Sequence, residues 1–449
     1  MRFNNLQAWL DWQATLHPEE IELGLERISH VLCRMGHSPR FDCAMIMVAG
    51  TNGKGSVVAM LESIALAAGL NVCAYTSPHL ITYNERIKVN ARPIDDDSLC
   101  EAFERIDTAR GESALTYFEF GTLAAIDIFK RAQADLIIME VGLGGRLDAV
   151  NIMQPDVSVI TPIAIDHVDW LGDNREAIAS EKAGIMRDTG MTVCGDPDPP
   201  DSLLKAAKAK SVDLYRLGQE FSVSPSTSVE EKLETQSQWN LSSPFGDLKG
   251  LPLPKLKGRF QRDNAATAIL ALQVLRRALD KFEVTEADIR RGLTNVRLAG
   301  RFEVLQQQPL VIADVAHNPH AMAALVEQLQ ASPVVGKTHV VIAMLADKPV
   351  QEVVRLLSQV ADNWYTAGLE TVIRGLSSKQ MAAAVASLGT GVKLCAESRG
   401  SAVIESTTVE AALAAALDVA DKQDRIVVTG SFYTVAAATQ YFHRRTHLA

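Results

Sequence analysis

Cysteine is scarce in this chain of 449 residues, and none of its six cysteines is spaced as C-x-x-C. The absence of C-x-x-C spacing argues against a structural zinc site and favours reduced thiols. The cysteines are Cys33, Cys43, Cys73, Cys100, Cys194 and Cys395. Long apolar runs are also missing: no stretch of about 18 apolar residues occurs, and no basic segment followed by an apolar one stands near Met1. We therefore expect a cytoplasmic protein with no membrane partner.

Basic residues are fewer than acidic ones. The chain has 44 Lys and Arg against 54 Asp and Glu, a net charge of -10. Affinity for nucleic acid comes mainly from Lys and Arg, so a general nucleic-acid binder is disfavoured. Hydrophobic residues make up 47% and charged residues 22%, which is ordinary for a globular enzyme. The length is large for one hydrophobic core, and two domains are expected.

What the chain does contain is a glycine-rich turn with a lysine, Gly50-Thr51-Asn52-Gly53-Lys54-Gly55-Ser56. An apolar strand-like segment, Cys43–Ala49, precedes the turn, and helical periodicity over Ser56–Ala68 follows it. Glycines let backbone N–H groups approach phosphate oxygens, Lys54 supplies a positive charge, and Ser56 offers a hydroxyl to a metal. The turn therefore predicts an ATP site.

The match to the general pattern G-x-x-x-x-G-K-[ST] is imperfect. Val48 occupies the first glycine position, and Gly55 stands where Ser or Thr should follow the lysine. A turn that binds nothing is the alternative, but such a turn rarely needs three glycines, a lysine and a serine together.

Apolar strand-like runs alternate with helical patterns in two series, which predicts an α/β fold with parallel sheets. The first series is Cys43–Ala49, Asn71–Thr76, Leu136–Glu140, Val157–Ile163 and Met191–Cys194. The second is Leu310–Ala313, His339–Ala343, Asn363–Thr366 and Arg425–Thr429. We predict a P-loop-type parallel-sheet ATPase domain over 1–296 and a second Rossmann-like domain over 297–449. Residues 196–258 form either a small accessory sheet or long loops, and a helix follows at Asn264–Leu279.

Polar residues follow several of these strands, where α/β sheets bind ligands. Glu140 suits Mg²⁺, which would bridge it to phosphates. His167 is a weaker candidate, because Mg²⁺ prefers oxygen ligands and a lone histidine is more often structural. Asp314 could contact a ribose or a cation, or it could cap the next helix together with Asn318.

The tract Gly142–Leu147 resembles the opening of a dinucleotide-binding fingerprint. Leu147 replaces its last glycine and no clear helix follows, so NAD binding is disfavoured.

Taken in order, these tracts resemble the Mur ligase superfamily and, within it, the bacterial bifunctional members of the folylpolyglutamate synthase family. The resemblance spans nearly the whole chain. It rests on His17–Arg27, Gly50–Ser56, Thr76–Leu80, Glu140–Asn151, Asp166-His167, Ser180–Ile185 and Asp314–Pro319.

The resemblance implies that ATP phosphorylates a carboxylate and that the amine of L-glutamate attacks the acyl phosphate, which yields an amide, ADP and phosphate. The implied partners are ATP, dihydropteroate, L-glutamate and reduced folates, with Mg²⁺ as cofactor, and we expect a monomer. Closely related alternatives are a monofunctional folylpolyglutamate synthase and, more distantly, a murein peptide ligase. A guanine-nucleotide switch would need a motif such as N-K-x-D, which the sequence lacks.

The family's site residues map onto this sequence in four groups. The ATP group is Asn52, Gly53, Lys54, Gly55, Ser56, Asn264, Arg301 and Asp314. The metal group is Ser56, Ser77, Glu140 and His167. The catalytic group is Lys54, Lys182, which the family carries as a carbamate, and His317. The pterin group is Glu22, Leu23, Gly24, Leu25, Leu115, Thr116, Tyr117, Phe118, Arg146, Leu147 and Asp148.

Without the family, Lys182 would be an ordinary surface lysine near a helix end, and Phe118 a buried aromatic of a helix. The sequence also departs from the family pattern at two places. Leu298-Ala299-Gly300-Arg301 replaces the frequent Trp-Pro-Gly-Arg, and Phe260-Gln261 replaces the usual His-Gln before Asn264.

Overall fold

A computed structural model describes residues 2–19, 21–226, 238–279, 282–388, 393–394 and 402–446. The chain divides into two compact units, each with α/β architecture. Unit 1 comprises Met1–Lys255 and Gln261–Arg297, and unit 2 comprises Leu256–Phe260 and Leu298–Ala449. The predicted fold class is confirmed.

Unit 1 is built on a sheet of eight described strands. They are β1 Ala44–Ala49, β2 Val72–Tyr75, β3 Ile87–Val89, β4 Arg92–Pro93, β5 Leu136–Glu140, β6 Val157–Ile160, β7 Met191–Cys194 and β8 Asp213–Arg216. The spatial order is β4-β3-β2-β5-β1-β6-β7-β8, with β3 and β4 antiparallel and the other neighbours parallel. Every residue of β1 is buried, as expected for a central strand covered on both faces. The carboxyl ends of β5 and β6 therefore lie on either side of the turn that follows β1.

Helices cover the faces of this sheet. They are α1 Leu6–Leu16, α2 Glu26–Arg34, α3 Lys54–Ala67, α4 Asp96–Arg110, α5 Tyr117–Arg131, α6 Val168–Leu171, α7 Arg175–Lys182, α8 Asp201–Ala209, α9 Phe260–Ala278 and α10 Glu286–Asn295. Helix α9 begins at Phe260, before the predicted Asn264, because its first turn is polar and periodicity alone does not detect it. Three 3₁₀ turns lie at Tyr83–Arg86, Ala149–Ile152 and Ala183–Ile185.

A small antiparallel sheet accounts for part of the segment 196–258. Its strands are β9 Ser222–Pro225, β10 Trp239–Ser242 and β11 Leu248–Leu251, in the order β11-β10-β9. Of the two predicted alternatives, the accessory sheet is present; residues 227–237 of that prediction lie outside the described residues.

Unit 2 carries a second sheet, of seven described strands. They are β12 Glu303–Gln307, β13 Leu310–Asp314, β14 Thr338–Ile342, β15 Asn363–Ala367, β16 Lys393–Leu394, β17 Ala402–Ser406 and β18 Arg425–Thr429. The order is β12-β13-β18-β14-β15-β17-β16, and β12 alone among these is antiparallel to its neighbour. The helices are α11 Pro319–Ala331, α12 Val350–Leu357, α13 Ser378–Ala386, α14 Val409–Val419 and α15 Phe432–Thr446.

Each unit has its own hydrophobic core. In unit 1 a continuous cluster runs from Trp9 through Phe103 and Phe120 to the sheet. In unit 2 separate clusters pack on the sheet, one around Trp364 and one around Tyr365. No helix in the described part of the chain is long and apolar enough to cross a bilayer. The five described cysteines are free thiols, and Cys395 lies outside the described residues.

Candidate active site

The glycine-rich turn joins β1 to α3, as the sequence predicts. Gly53 adopts φ +93°, and a Cβ there would stand 2.8 Å from Asn264 Oδ1, so glycine is needed for both backbone shape and close approach. The turn is tied to the segment after β6: Thr51 N–H donates to the Pro162 carbonyl at 3.0 Å, and Thr51 Oγ1 donates to the Ala164 carbonyl at 2.9 Å. The positive end of α3 therefore lies directly after the turn, where it favours anions.

Two lysine side chains meet on one carbonyl of this turn. Lys54 Nζ donates to the Gly50 carbonyl at 3.1 Å, and Lys182 Nζ donates to the same oxygen at 2.9 Å. Lys182 is 3% exposed, so the surface-lysine alternative is wrong. Burial, followed by the charge of Lys54, lowers the pKa of Lys182 from 10.5 to about 7. A large fraction of Lys182 is therefore a neutral amine near neutral pH.

The loop between Gly142 and Asp148 packs directly on the end of α7. Arg146 N–H donates to the Glu181 carbonyl at 2.8 Å, and its guanidinium forms an ion pair with the Glu181 carboxylate at 2.9 Å. A Cβ on Gly145 would stand 2.7 Å from that same carbonyl. The glycines of this tract thus permit the loop to pack closely on the helix. This packing explains why glycine is needed there without a bound dinucleotide.

Asp148 is 2% exposed and accepts two backbone N–H groups, from Leu143 at 2.8 Å and from Val150 at 2.9 Å. Burial raises the pKa of its carboxyl group to about 6, against the opposing effect of those hydrogen bonds and of Lys54. A buried carboxyl group therefore lies in the same loop that packs on Lys182's helix.

Three of the four residues predicted to hold a metal lie at or after the ends of β2, β5 and β6, and the fourth, Ser56, lies in the first turn of α3. Ser77 follows β2, Glu140 ends β5 opposite Val48 of β1, and His167 follows β6. Glu140 is 4% exposed. His167 has φ +53°, an uncommon backbone conformation for a residue with a side chain, of the kind that clusters at functional sites.

The chemistry of this donor set suits a metal that arrives with a nucleotide. Among the described residues no group of three or more His, Cys, Asp and Glu is arranged to hold a metal ion. Mg²⁺ needs no such cage, because it commonly binds through one or two carboxylates, substrate phosphates and water. One buried carboxylate beside a phosphate-binding turn fits that pattern.

Arg27 connects two of the predicted pterin segments. Its guanidinium binds the Glu22 carboxylate at 2.9 Å and the buried Glu119 carboxylate at 3.0 Å. The hydrogen bond from Arg27 is the main reason that the pKa of Glu22 is lowered. Glu119 in turn forms a capping box with Thr116 at the start of α5. Sequence reasoning assigned no role to Arg27 or Glu119, although the spacing T-x-x-E was a readable signal.

Phe118 connects this region to the loop that carries Asp148. A Cβ on Gly142 would stand 2.6 Å from the Phe118 ring, and the ring centroid lies 6.0 Å from that of Tyr75. Phe118 and Tyr117 are partly exposed, whereas Leu115 and Thr116 are buried. Of the other predicted pterin residues, Leu23, Gly24, Leu25 and Leu147 are partly exposed, and Glu22 and Arg146 are exposed.

In unit 2 two of the predicted residues, Arg301 and His317, lie beside one aromatic ring, that of Phe432. Asp314 ends β13 opposite Thr429 of β18, after which Phe432 begins α15. The Arg301 guanidinium carbon lies 5.7 Å from the Phe432 ring centroid, and the His317 ring lies 6.2 Å from it. Sequence reasoning missed Phe432, although it closely follows a predicted strand.

Asp314 and Asn318 play different roles. Asn318 caps α11 by accepting the Ala321 N–H at 2.9 Å, so the helix-cap alternative is right for this residue. Asp314 instead accepts the N–H groups of Phe302 at 2.8 Å and Ala316 at 2.9 Å. Burial raises the pKa of Asp314.

Comparison with known proteins identifies the family of this chain. The Mur ligase middle domain matches residues 48–272, and the Mur ligase glutamate ligase domain matches residues 300–432. The dihydrofolate synthase/folylpolyglutamate synthase of Escherichia coli strain K12 is 40% identical over 440 residues, covering 98% of this chain and 96% of that relative. The chain belongs to this family of Mur ligases.

Solved structures of the family have the same fold. E. coli FolC in complex with DHPP and ADP superposes with a TM-score of 0.88 at 39% identity, covering 99% of both chains. A bifunctional folylpolyglutamate synthase/dihydrofolate synthase with Mn, AMPPNP and L-glutamate bound gives a TM-score of 0.85 at 40% identity, covering 98% of both chains. This family member therefore matches its relatives over both units.

Proposed function

We propose that this chain is an ATP-dependent amide ligase that joins L-glutamate to dihydropteroate, giving dihydrofolate, and adds further glutamates to reduced folates. The observation that carries the proposal is the meeting of Lys54 and Lys182 on the Gly50 carbonyl. That carbonyl belongs to a phosphate-type turn flanked by strands that end near Glu140 and His167. The family relationship and the ligands named for its solved members support the same reaction.

The reaction needs two transfers. In the first, a carboxylate oxygen of dihydropteroate bonds to the γ-phosphorus of ATP, the bond from that phosphorus to ADP breaks, and an acyl phosphate forms. In the second, the glutamate nitrogen attacks the acyl carbon, phosphate leaves, and the nitrogen loses a proton as the amide forms. Lys54 and the N-terminus of α3 stabilise the charge that develops on the phosphoryl group.

Ser56, Ser77, Glu140 and His167 are the residues that we propose to hold Mg²⁺. The ion would neutralise phosphate charge when it is bound with ATP. Asn52, Gly53, Gly55 and Asn264 complete the proposed ATP contacts of unit 1, and Arg301 and Asp314 are those of unit 2. His317 is proposed to lie near the reacting groups.

Lys182 is proposed to react with CO₂. Its neutral nitrogen attacks the carbon of CO₂, a proton leaves the nitrogen, and a carbamate results. The low pKa of this buried amine supports the step, because a protonated lysine has no lone pair to donate. After equilibration with ¹³C-bicarbonate, carbon NMR should detect a carbamate signal that is missing from the Lys182→Met variant. Equal spectra from both proteins would remove the carbamate from the proposal.

For the pterin, we propose that Phe118 stacks on the flat ring and that Asp148 accepts its N–H donors. The remaining members of the predicted pterin group would surround the ring: Glu22, Leu23, Gly24, Leu25, Leu115, Thr116, Tyr117, Arg146 and Leu147. A cytoplasmic location and a monomeric state remain predictions.

One assay tests the reaction. Purified full-length protein is incubated with Mg-ATP, dihydropteroate and L-glutamate, and both phosphate release and the pterin product are followed. Phosphate release should require both co-substrates, and the product should be dihydrofolate. Release that is unchanged when either co-substrate is omitted would refute the ligase. Activity with tetrahydrofolate but none with dihydropteroate would instead identify a monofunctional folylpolyglutamate synthase.

A further inference from the structure

Gln261 forms a hydrogen-bonded link between Ser56, at the end of the glycine-rich turn, and Asn264. It lies in the first turn of α9 and is completely buried. Its Nε2 donates to Ser56 Oγ at 3.2 Å, and its Oε1 accepts a hydrogen bond from Asn264 Nδ2 at 3.0 Å. Ser56 and Asn264 are themselves 1% and 4% exposed. All three side chains therefore depend on one another for hydrogen bonds that solvent does not supply.

In the structure the hydrogen bonds run in series from Asn264 to Gln261 to Ser56. Asn264 uses its Nδ2 toward Gln261, so the amide nitrogen of Gln261 is left to face Ser56. Asn264 Oδ1 then lies on the side of Gly53, where an added Cβ would stand 2.8 Å from it. Gln261 thus orients a hydroxyl in the first turn of α3 and an amide beside the phosphate turn.

We propose that Gln261 is a positioning residue for Mg-ATP, acting through the Ser56 hydroxyl and the Asn264 amide. The inference rests on the proposed function, since it takes Ser56 as a phosphate and metal contact and Asn264 as an adenine-side contact. A serine side chain has three staggered rotamers, and the bond from Gln261 selects the one in which Oγ faces Nε2. Without that donor, the oxygen needs a new partner or a new rotamer before it contacts the nucleotide.

Substituting Gln261→Met in the full-length protein tests the role, because methionine keeps the length of the side chain and removes both hydrogen bonds. Mg-ADP affinity measured by calorimetry should fall about tenfold, and KM for Mg-ATP should rise by a similar factor with little change in kcat. The affinity for ADP in EDTA should fall less, because the bond to Ser56 matters most when a metal is present. Unchanged affinity for Mg-ADP would overturn the proposal.

A matched control is available on the same helix. Gln273 of α9 is likewise hydrogen-bonded to a serine, although here the glutamine Oε1 accepts from Ser243 Oγ, at 3.0 Å. Gln273→Met should leave Mg-ADP affinity as in the wild-type protein. An equal loss in both variants would mean that a general effect on α9 explains the result, and it would refute a specific role for Gln261.

A double-mutant cycle separates positioning from packing. Ser56→Ala alone should weaken Mg-ADP binding, and Gln261→Met should cost less in the Ser56→Ala background than in the wild-type protein, because the part of its effect that acts through Ser56 is already lost. Multiplicative losses would refute action through Ser56. Calorimetry measures Mg-ADP binding without turnover, so it tests the role of Gln261 even if the wild-type protein fails to release phosphate with dihydropteroate and L-glutamate. That failure would refute only the proposed function.

Discussion

At the scale of single residues, Lys182 is the side chain whose chemistry depends most on its surroundings. It is buried beside Lys54, and the Nζ atoms of both lysines donate to the Gly50 carbonyl. Removing a charged amine from water and placing it near a second cation both favour the neutral form. Burial and the neighbouring charge of Lys54 therefore make the Lys182 amine more nucleophilic, and they also lower the free energy of unfolding at any pH where the unfolded chain holds the proton.

The pH dependence of stability should reveal this cost. Between pH of about 7 and 10.5 the unfolded chain holds a proton on Lys182 that the folded chain has released. Stability therefore rises with pH across that window, and the penalty is largest below pH 7. Relative to Lys182→Met, the wild-type free energy of unfolding should gain about 1.4 kcal/mol per pH unit between pH 7.5 and 9.

Chemical denaturation in CO₂-depleted buffer measures this difference. Lys205→Met, at an exposed position of α8, should follow the wild-type protein at every pH. If the free energies of unfolding of the wild-type protein and of Lys182→Met changed equally with pH, the result would contradict a lowered pKa for Lys182.

Lys54 should serve the reaction and not the fold. Lys54→Ala should reduce turnover by about a thousandfold or more, because it removes the cation of the phosphate turn. The thermal midpoint should stay close to that of the wild-type protein, since within the described part of the chain the Lys54 ammonium group donates to carbonyls of its own turn, at Gly50 and Thr51. Turnover near the wild-type rate would count against the phosphate role; Lys205→Ala serves as the control for purification and assay.

At the scale of elements, the site depends on contacts between segments far apart in sequence. Arg27, in the first turn of α2, joins the segment around Glu22 to Glu119 in the first turn of α5. Phe118 then contacts Gly142, at the start of the loop that packs on α7. The ends of three helices are thereby arranged around one partly exposed region.

Removing the guanidinium of Arg27 should lower the stability of the fold and weaken the binding of dihydropteroate. In Arg27→Met the buried carboxylate of Glu119 loses its cationic partner, which should destabilise the fold by about 2 to 4 kcal/mol. KM for dihydropteroate should rise about tenfold, while the affinity for Mg-ADP should stay the same. Arg34→Met, on the exposed side of the same helix, is the control. A rise in KM for Mg-ATP without one for dihydropteroate would contradict the assignment of this region to the pterin.

At the scale of the whole molecule, the chain consists of two units with separate cores, and each carries part of the predicted site. Unit 1 holds the glycine-rich turn and the residues predicted to bind the metal and the pterin. Unit 2 holds Asp314 at the end of β13, and Arg301 and His317 beside Phe432. If the proposed function is right, neither unit suffices for catalysis.

A substitution in unit 2 should therefore abolish chemistry without affecting pterin binding. Arg301→Met should lower kcat/KM for Mg-ATP at least a hundredfold, through the loss of a cation directed at phosphate. Dihydropteroate binding, followed by fluorescence in the absence of nucleotide, should not change. Arg355→Met alters an exposed arginine of the same unit and should behave as the wild-type protein. Wild-type kinetics for Arg301→Met would show that Arg301 takes no part.

The sequence alone was sufficient for the α/β class, the strands that carry the turn and the strand-end residues, and the family. These features are local in sequence. Apolar runs predict strands, the glycines and the lysine predict the phosphate turn, and the spacing of motifs can be read from the sequence alone. Strands β3, β4 and β8 of unit 1 and β12, β16 and β17 of unit 2 were not predicted, because they are short or mixed in polarity and lie at or next to a sheet edge.

Only the tertiary structure decided which distant residues share a hydrogen bond or a charge. The pairing of Lys182 with Gly50, of Arg27 with Glu119 and of Gln261 with Ser56 joins positions more than 90 residues apart in each case. No periodicity or propensity encodes such contacts, because they depend on how strands are ordered in the sheet and on how closely loops pack. Burial set by that packing is also what turns Lys182 from a common surface cation into a neutral amine beside the phosphate turn.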